Sequence, residues 1–188
     1  MSYVKDIFKM DYYIIFSGAI EQNFSTRLFN AIQNAPNLPA NKIILFFSSL
    51  GGDIHEGFLL ASVIQNSKIP VTIHANNHID SIANVIYLSA KERTAESYAK
   101  FYLHGATVQG IFDEKGLKDQ ISAVKTSNSR IAYFISENSN LPLSRIQEMM
   151  ETGTTLSAQE ALGHGIVKEI VHKEIPQNIN REEIIFVN

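Results

Sequence analysis

The 188-residue chain contains no cysteine, which excludes a thiol nucleophile, a disulfide framework and a zinc site built from thiolates. No apolar run approaches the roughly 20 residues that a membrane-spanning helix needs. The formal net charge of −3 provides no electrostatic basis for binding nucleic acid or an acidic membrane surface. Residues 1–9 contain no continuous apolar stretch of the kind that a secretory signal carries. These absences lead us to expect a cytoplasmic protein without a membrane or nucleic-acid partner.

Motifs that identify several enzyme classes are also missing. The chain has no G-x-S-x-G nucleophile elbow, no G-x-G-x-x-G dinucleotide fingerprint and no Walker A loop. None of its histidines forms the His-Glu-x-x-His pattern of a zinc protease. His74 and His78 are four residues apart, but Asn76 and Asn77 between them favour a turn over a helix that would align the two rings. We therefore predict no metal site and no cofactor.

Strand and helix patterns alternate along the chain. Apolar stretches typical of buried strands lie at residues 12–17, 42–47, 70–75, 101–104 and 166–171. Helical spacing of apolar residues marks 23–34, 54–66, 81–89, 114–137 and 144–151, and Ser157 with Glu160 has the signature of a capping box for one more helix. This alternation indicates an α/β fold with a mainly parallel sheet. The length predicts a single domain over residues 1–188.

Gly51 and Gly52 lie in the turn that follows the strongly apolar strand at 42–47. Glycine tolerates positive φ and close backbone approach, so this pair could leave backbone N–H groups bare and form an anion-binding corner. The alternative is a tight strand-to-helix turn without a ligand, since glycines are common at such turns in α/β proteins.

Two further residues could carry chemistry. Ser81 stands at the predicted start of an apolar core helix, where free N–H groups and the helix dipole favour developing negative charge, and the N–H of Ile82 could help to hold an oxyanion. His104 ends a predicted strand, and a neutral imidazole there could accept a serine proton if the fold brings the two together. The alternatives are that Ser81 or Asp80 simply caps the helix and that His104 is a half-buried structural histidine.

These elements, in this order, resemble the ClpP family of self-compartmentalised serine peptidases. Four segments carry the resemblance: residues 49–52 are similar to the family's Ser-Pro-Gly-Gly turn, 81–88 to the segment around its nucleophilic serine, 101–104 to the strand that ends in its catalytic histidine, and 156–167 to its C-terminal Leu-Ser-Ala stretch. The resemblance covers a core of about residues 12–171, with 172–188 as a C-terminal tail. It implies a ClpP/crotonase-like fold of repeated β-β-α units, in which Glu114–Glu137 is a long protruding handle helix.

The same resemblance implies a serine endopeptidase that cleaves peptides or unfolded protein inside an oligomeric chamber. Carried over residue by residue, Ser81 is the nucleophile, His104 is the general base, and the backbone N–H groups of Gly52 and Ile82 form the oxyanion hole. The expected partners are further copies of this chain in stacked rings and an ATP-dependent unfoldase.

One position departs from the family pattern. The family's aspartate is replaced here by Gly153, and Glu151, Asp80 or Thr154 could serve as the third member instead. The departure leaves a catalytically impaired ClpP-like pseudoenzyme or regulatory subunit as an alternative. A crotonase-type acyl-CoA enzyme is a further alternative, since that superfamily also pairs backbone N–H groups in an oxyanion hole.

Overall fold

An α/β architecture extends through residues 10–175 and 181–185, which are the residues that this computed structural model describes. Its strands are β1 (Met10–Ser17), β2 (Ala40–Ser49), β3 (Val71–Asp80), β4 (Glu92–Ala95), β5 (Lys100–Leu103), β6 (Thr154–Ser157), β7 (Glu169–Ile170) and β8 (Arg181–Ile185). Its helices are α1 (Gln22–Asn34), α2 (Ile54–Gln65), α3 (Ala83–Ser89), α4 (Glu114–Glu137), α5 (Leu143–Thr152) and α6 (Ala158–Gly163), with a 3₁₀ turn at Ala35–Asn37. The expectation about a secretory signal in residues 1–9 lies outside the described residues.

The described strands form one sheet in the order β6-β5-β3-β2-β1-β8, with β4 beside β3 and β7 beside β4. Every neighbouring pair is parallel except β5 with β6. The predicted α/β class with a mainly parallel sheet is therefore confirmed. Strand β8, which pairs with β1, lies in the segment that the sequence suggested as a tail.

Strand β3 is longer than predicted because it has two partners on one side. Its first half pairs with β4 over residues 72–75, and its second half pairs with β5 over residues 78–80. The turn predicted at Asn76 and Asn77 is therefore wrong: both residues lie inside β3. Pairing of the residues on both sides, 72–75 with β4 and 78–80 with β5, keeps the asparagines in extended backbone despite their local turn preference, and the pairing with β5 extends the strand to the residue before Ser81.

The apolar helix expected at the centre of the fold is confirmed, since every residue of α3 is buried. The capping box is confirmed as well: Ser157 Oγ accepts from the Glu160 N–H, and the Glu160 carboxylate accepts from the Ser157 N–H at 2.8 Å. None of the helices in the described residues combines the length and apolar character that a membrane span requires.

A buried glutamate holds the segment after β7 against β4. Glu96 accepts hydrogen bonds from His74 Nε2 at 3.2 Å, from His172 Nδ1 at 3.0 Å and from the Lys173 N–H at 3.2 Å. Burial lowers the pKa of His74, so the ring is neutral and its Nδ1 accepts from Thr94 Oγ1 at 2.8 Å. Burial alone would raise the pKa of Glu96, but these hydrogen bonds outweigh it and lower that pKa. Among the described residues, no group of three or more histidine, cysteine, aspartate or glutamate side chains is arranged to hold a metal ion.

Candidate active site

The turn after β2 depends on two glycines with positive φ, 94° at Gly51 and 147° at Gly52. The Ile20 N–H donates to the Gly51 carbonyl at 2.8 Å, and the Asp53 N–H donates to the Ile20 carbonyl at 2.7 Å. A Cβ on Gly52 would collide with the Ile20 backbone, and one on Gly51 would lie 2.6 Å from Ser81 Cβ. Only glycine at both positions lets the turn fit between residue 20 and Ser81.

The two glycine N–H groups differ in their hydrogen bonds. The Gly51 N–H donates to Ser49 Oγ at 3.1 Å. The Gly52 N–H has no acceptor among residues 10–175 and 181–185. Gly51 is the glycine in contact with the Ser81 side chain, a role that the sequence did not indicate. Gly52 is the one whose N–H remains available for a ligand.

Ser81 has a strained backbone, with φ of 57°, and it is the only non-glycine residue with positive φ in the described chain. Such a conformation costs of order 1–2 kcal/mol and persists only where the surroundings impose it. The Ser81 N–H donates to the Tyr102 carbonyl at 2.9 Å, and the Ser81 carbonyl accepts from the Asn84 N–H at 3.1 Å. The alternative that Ser81 or Asp80 caps the helix is wrong, because the cap residue of α3 is Ile82. The Ile82 N–H has no acceptor in the described residues.

Asn84 holds this turn in place, and the sequence analysis missed it. Its Nδ2 donates to the carbonyls of Ile79, Ser81 and Tyr102 at 3.0, 3.1 and 3.0 Å. The side chain is fully buried. A lone amide in an otherwise apolar helix was the available signal, since a buried polar side chain has to find hydrogen-bond partners.

His104 follows β5 at the sheet edge where Ser81 follows β3. Asp80 and Tyr102 are paired in the parallel register of these strands, so Ser81 follows β3 at the level of Leu103 and His104 comes one residue later on the neighbouring strand. His104 Nδ1 donates to the Gly105 carbonyl at 2.7 Å, which makes Nε2 the acceptor nitrogen. Within the described residues, Ser81 Oγ and His104 make no hydrogen bond with each other. The fold therefore brings the two residues to one edge without joining them.

The comparisons with known proteins agree with this fold. A family model described as Clp protease matches residues 2–174. The chain belongs to the Clp protease family. It is similar to the ATP-dependent Clp protease proteolytic subunit 2 of Treponema pallidum, with 21% identity over 167 residues that cover 85% of this chain and 82% of that protein. It is also 25% identical to the proteolytic subunit 3 of Rhizobium meliloti over 163 residues, which cover 84% and 82% of the two chains.

Among solved structures, a mutant of ClpP1 from Listeria monocytogenes matches this chain with a TM-score of 0.77. The identity is 21%, and the match covers 86% of this chain and 91% of that chain. This likeness confirms the ClpP-like fold implied by the sequence. The catalytic roles assigned to Ser81 and His104 stay predictions.

Gly153 stands where the sequence resemblance led us to expect the family's aspartate. Gly153 ends α5 with φ of 70°, and a Cβ on it would lie 2.9 Å from the Tyr102 hydroxyl. The Tyr102 ring stacks on the His104 imidazole, with centroids 4.8 Å apart and 24° between the planes. Tyr102 thus lies against both His104 and position 153, and no sequence pattern had singled it out.

None of the three substitutes suggested for the aspartate forms a hydrogen bond with His104 in the described residues. Glu151 lies beside a cavity of about 240 Å³ that Gly105 also lines. Thr154 pairs with Leu103 across the sheet, and its hydroxyl shares a hydrogen bond of 3.1 Å with that of Thr152.

Asp80 is the suggested substitute with an electrostatic connection to His104. Burial raises the pKa of Asp80, while the charges of His78 and His104 act to lower it. Its nearest basic atom is His78 Nδ1, at 3.7 Å from the carboxylate.

Proposed function

We propose that this Clp protease family member is a serine endopeptidase with Ser81 as nucleophile and His104 as general base. The observation that carries the proposal is the strained turn at Ser81, flanked by the unengaged N–H groups of Gly52 and Ile82. Strain of this kind concentrates at functional sites. Paired N–H groups on rigid elements are the donors that a tetrahedral oxyanion requires. The match of the Clp protease family over residues 2–174 favours this peptidase over an acyl-CoA enzyme.

In the proposed reaction, Ser81 Oγ attacks the carbonyl carbon of a peptide bond while its proton passes to His104 Nε2. The N–H groups of Gly52 and Ile82 donate to the resulting oxyanion. The C–N bond then breaks as His104 returns the proton to the leaving amine, and water hydrolyses the ester on Ser81 by the same route. The hydrogen bond between Ser81 and His104 forms as the peptide binds, because catalytic hydrogen bonds often tighten only in the bound complex.

The proposal is tested with a fluorophosphonate probe, which reacts covalently with an activated serine. We expect wild-type protein to be labelled at Ser81 and Ser81→Ala protein to remain unlabelled, since the variant lacks the attacking oxygen. Peptide mapping identifies the labelled residue. Ser97→Ala, which changes an exposed loop serine, is the matched control and should be labelled like the wild type. Absence of labelling and of peptide hydrolysis in every assembly state would overturn the proposal.

One observation favours a second candidate, a catalytically impaired ClpP-like regulatory subunit. The described residues place no carboxylate in hydrogen-bond contact with His104, and in well-studied triads impairing the acid lowers the rate by about 10⁴-fold. The same experiment separates the two functions, because an impaired subunit would assemble normally but remain unlabelled.

We also propose that the chain forms a homo-oligomer of stacked rings and receives substrate from an ATP-dependent unfoldase. Helix α4 has an exposed apolar stripe that includes Leu117 and Ile121, whose side chains are 51% and 48% exposed, and Ile111 before it is fully exposed. Apolar side chains that recur at this spacing on one helix face are typical of an interface. Both curated relatives are named as subunits of ATP-dependent proteases, which supports the unfoldase.

The assembly is tested by light scattering at micromolar concentration. We expect the wild type to have the mass of an oligomer and Leu117→Asp/Ile121→Asp to have a much lower mass, because the carboxylates would be buried in the contact. Lys125→Asp, at an exposed polar site on the same helix, is the control and should leave the mass unchanged. A monomeric wild type would contradict the proposal.

A further inference from the structure

Two contacts with described residues hold the imidazole of His104, and neither of them is with a carboxylate. Its Nδ1 donates to the carbonyl of the next residue, Gly105, at 2.7 Å. Its face lies on the ring of Tyr102, two residues earlier in the chain, with centroids 4.8 Å apart. Residues two apart in extended backbone lie on the same side of the chain, and His104 directly follows β5, so the local backbone brings the two rings together.

The hydrogen bond and the stacking restrain different motions of the ring. A hydrogen bond to Gly105 selects the tautomer with its proton on Nδ1, but one bond allows the ring to tilt about it. A face-to-face contact at this separation opposes that tilt and thereby fixes the direction of Nε2.

Gly153 provides the space that the Tyr102 side chain needs. A Cβ on Gly153 would lie 2.9 Å from the Tyr102 hydroxyl but 3.7 Å from the nearest ring carbons. The hydroxyl is the Tyr102 atom that lies too close for a side chain at 153, since 3.7 Å is ordinary van der Waals contact, and the φ of 70° adds backbone strain to any residue other than glycine. The tyrosine at 102 and the glycine at 153 form one arrangement, in which the Tyr102 side chain has its hydroxyl next to position 153 and its ring face on His104.

We propose that Tyr102 is a positioning residue that, together with the Gly105 carbonyl, orients His104 in place of a carboxylate partner. This inference rests on the proposed role of His104 as general base. The Tyr102 hydroxyl makes no hydrogen bond in the described residues, so the ring face rather than the hydroxyl performs the task.

Two variants of Tyr102 test the proposal. Tyr102→Phe keeps the ring face and should label with fluorophosphonate within about two-fold of the wild-type rate. Tyr102→Leu removes the face and should label about 10- to 100-fold more slowly, because a misplaced base loses its geometry. In nitrogen-15 NMR spectra, the His104 Nδ1–H signal, assigned by its loss in His104→Ala, should persist in Tyr102→Phe and exchange rapidly with water in Tyr102→Leu.

Equal labelling and an unchanged Nδ1–H signal in Tyr102→Leu would overturn the proposal. If wild-type protein is not labelled at all, the peptidase function fails, whereas the Nδ1–H signals still decide whether Tyr102 positions His104. A loss of the Nδ1–H signal in both variants would show that the Tyr102 hydroxyl positions His104, and it would also overturn the proposal that the ring face does so.

A double-mutant cycle tests the link between positions 102 and 153 without any activity. Gly153→Ala should lower the melting temperature more in wild-type protein than in Tyr102→Phe protein, because only the wild type has the hydroxyl 2.9 Å from the added Cβ. The strain at φ of 70° is present in both backgrounds and cancels. An equal decrease in melting temperature in the two backgrounds would show that the glycine at 153 does not provide the space for the Tyr102 hydroxyl.

Discussion

Replacing His104 with alanine is expected to lower kcat for peptide cleavage by about 10⁴- to 10⁶-fold, as removal of the base does in serine proteases. With Nδ1 bonded to the Gly105 carbonyl, Nε2 is the nitrogen that can accept the proton of Ser81. Ser81 is a weak nucleophile without a base, and the oxyanion donors alone account for only the residual rate. The measurement is hydrolysis of a fluorogenic peptide, with the assembled mass checked beforehand.

The control for this variant is His55→Ala, which removes an exposed imidazole on α2 and should leave kcat unchanged. A His104→Ala protein that cleaves at a rate near that of the wild type would contradict the assignment of the base and leave Ser81 without its proposed activation.

Replacing Arg93 with leucine is expected to lower the free energy of unfolding by about 3–5 kcal/mol, because it leaves several buried carbonyl groups without a donor. Arg93 is only 5% exposed. Its guanidinium donates to five backbone carbonyls, those of Ile166 at 2.8 Å, Ala90 at 2.7 Å, Asn138 at 3.1 Å, Gly165 at 3.2 Å and Leu88 at 3.4 Å. The side chain thereby joins the ends of α3 and α4 to the segment after α6.

Urea unfolding at one protein concentration measures this effect, since association would otherwise change the apparent stability. Arg145→Leu is the matched control. Arg145 pairs with Glu148 at the surface and its side chain is 52% exposed, so its loss should change the free energy of unfolding by about 1 kcal/mol or less. Arg93→Leu protein as stable as the control would show that the five carbonyls find other donors.

Local patterns predicted the strands and helices well where each element is bounded by its own sequence. The helices α2 and α4 and the capping box at Ser157 follow from apolar spacing and cap chemistry. Apolar spacing did not predict the full length of strand β3, because the second half of the strand is extended only by pairing with β5. Two asparagines that favour a turn in isolation were thereby held in a strand.

The candidate site likewise has some features that the sequence predicts and others that depend on tertiary contacts. Glycine, serine and histidine at strand ends are visible in sequence, and parallel topology brings such ends to one edge, so Gly52, Ser81 and His104 could be proposed before the fold was known. The positive φ of Ser81 could not be predicted from the sequence, since a carbonyl of β5 and the side chain of Asn84 impose it. The contact of Gly51 with Ser81 also depends on how two turns distant in the chain approach each other.

The sequence by itself thus determined the α/β class, the relation to the Clp protease family and the residues that bear the proposed chemistry, because periodicity and strand-end residues are local properties. Only the tertiary structure decided what surrounds them. Tyr102 stacks on His104 and lies over Gly153, and Arg93 meets carbonyls up to 73 residues away along the chain. Those contacts arise from the spatial arrangement of separate segments, which no single stretch of sequence encodes.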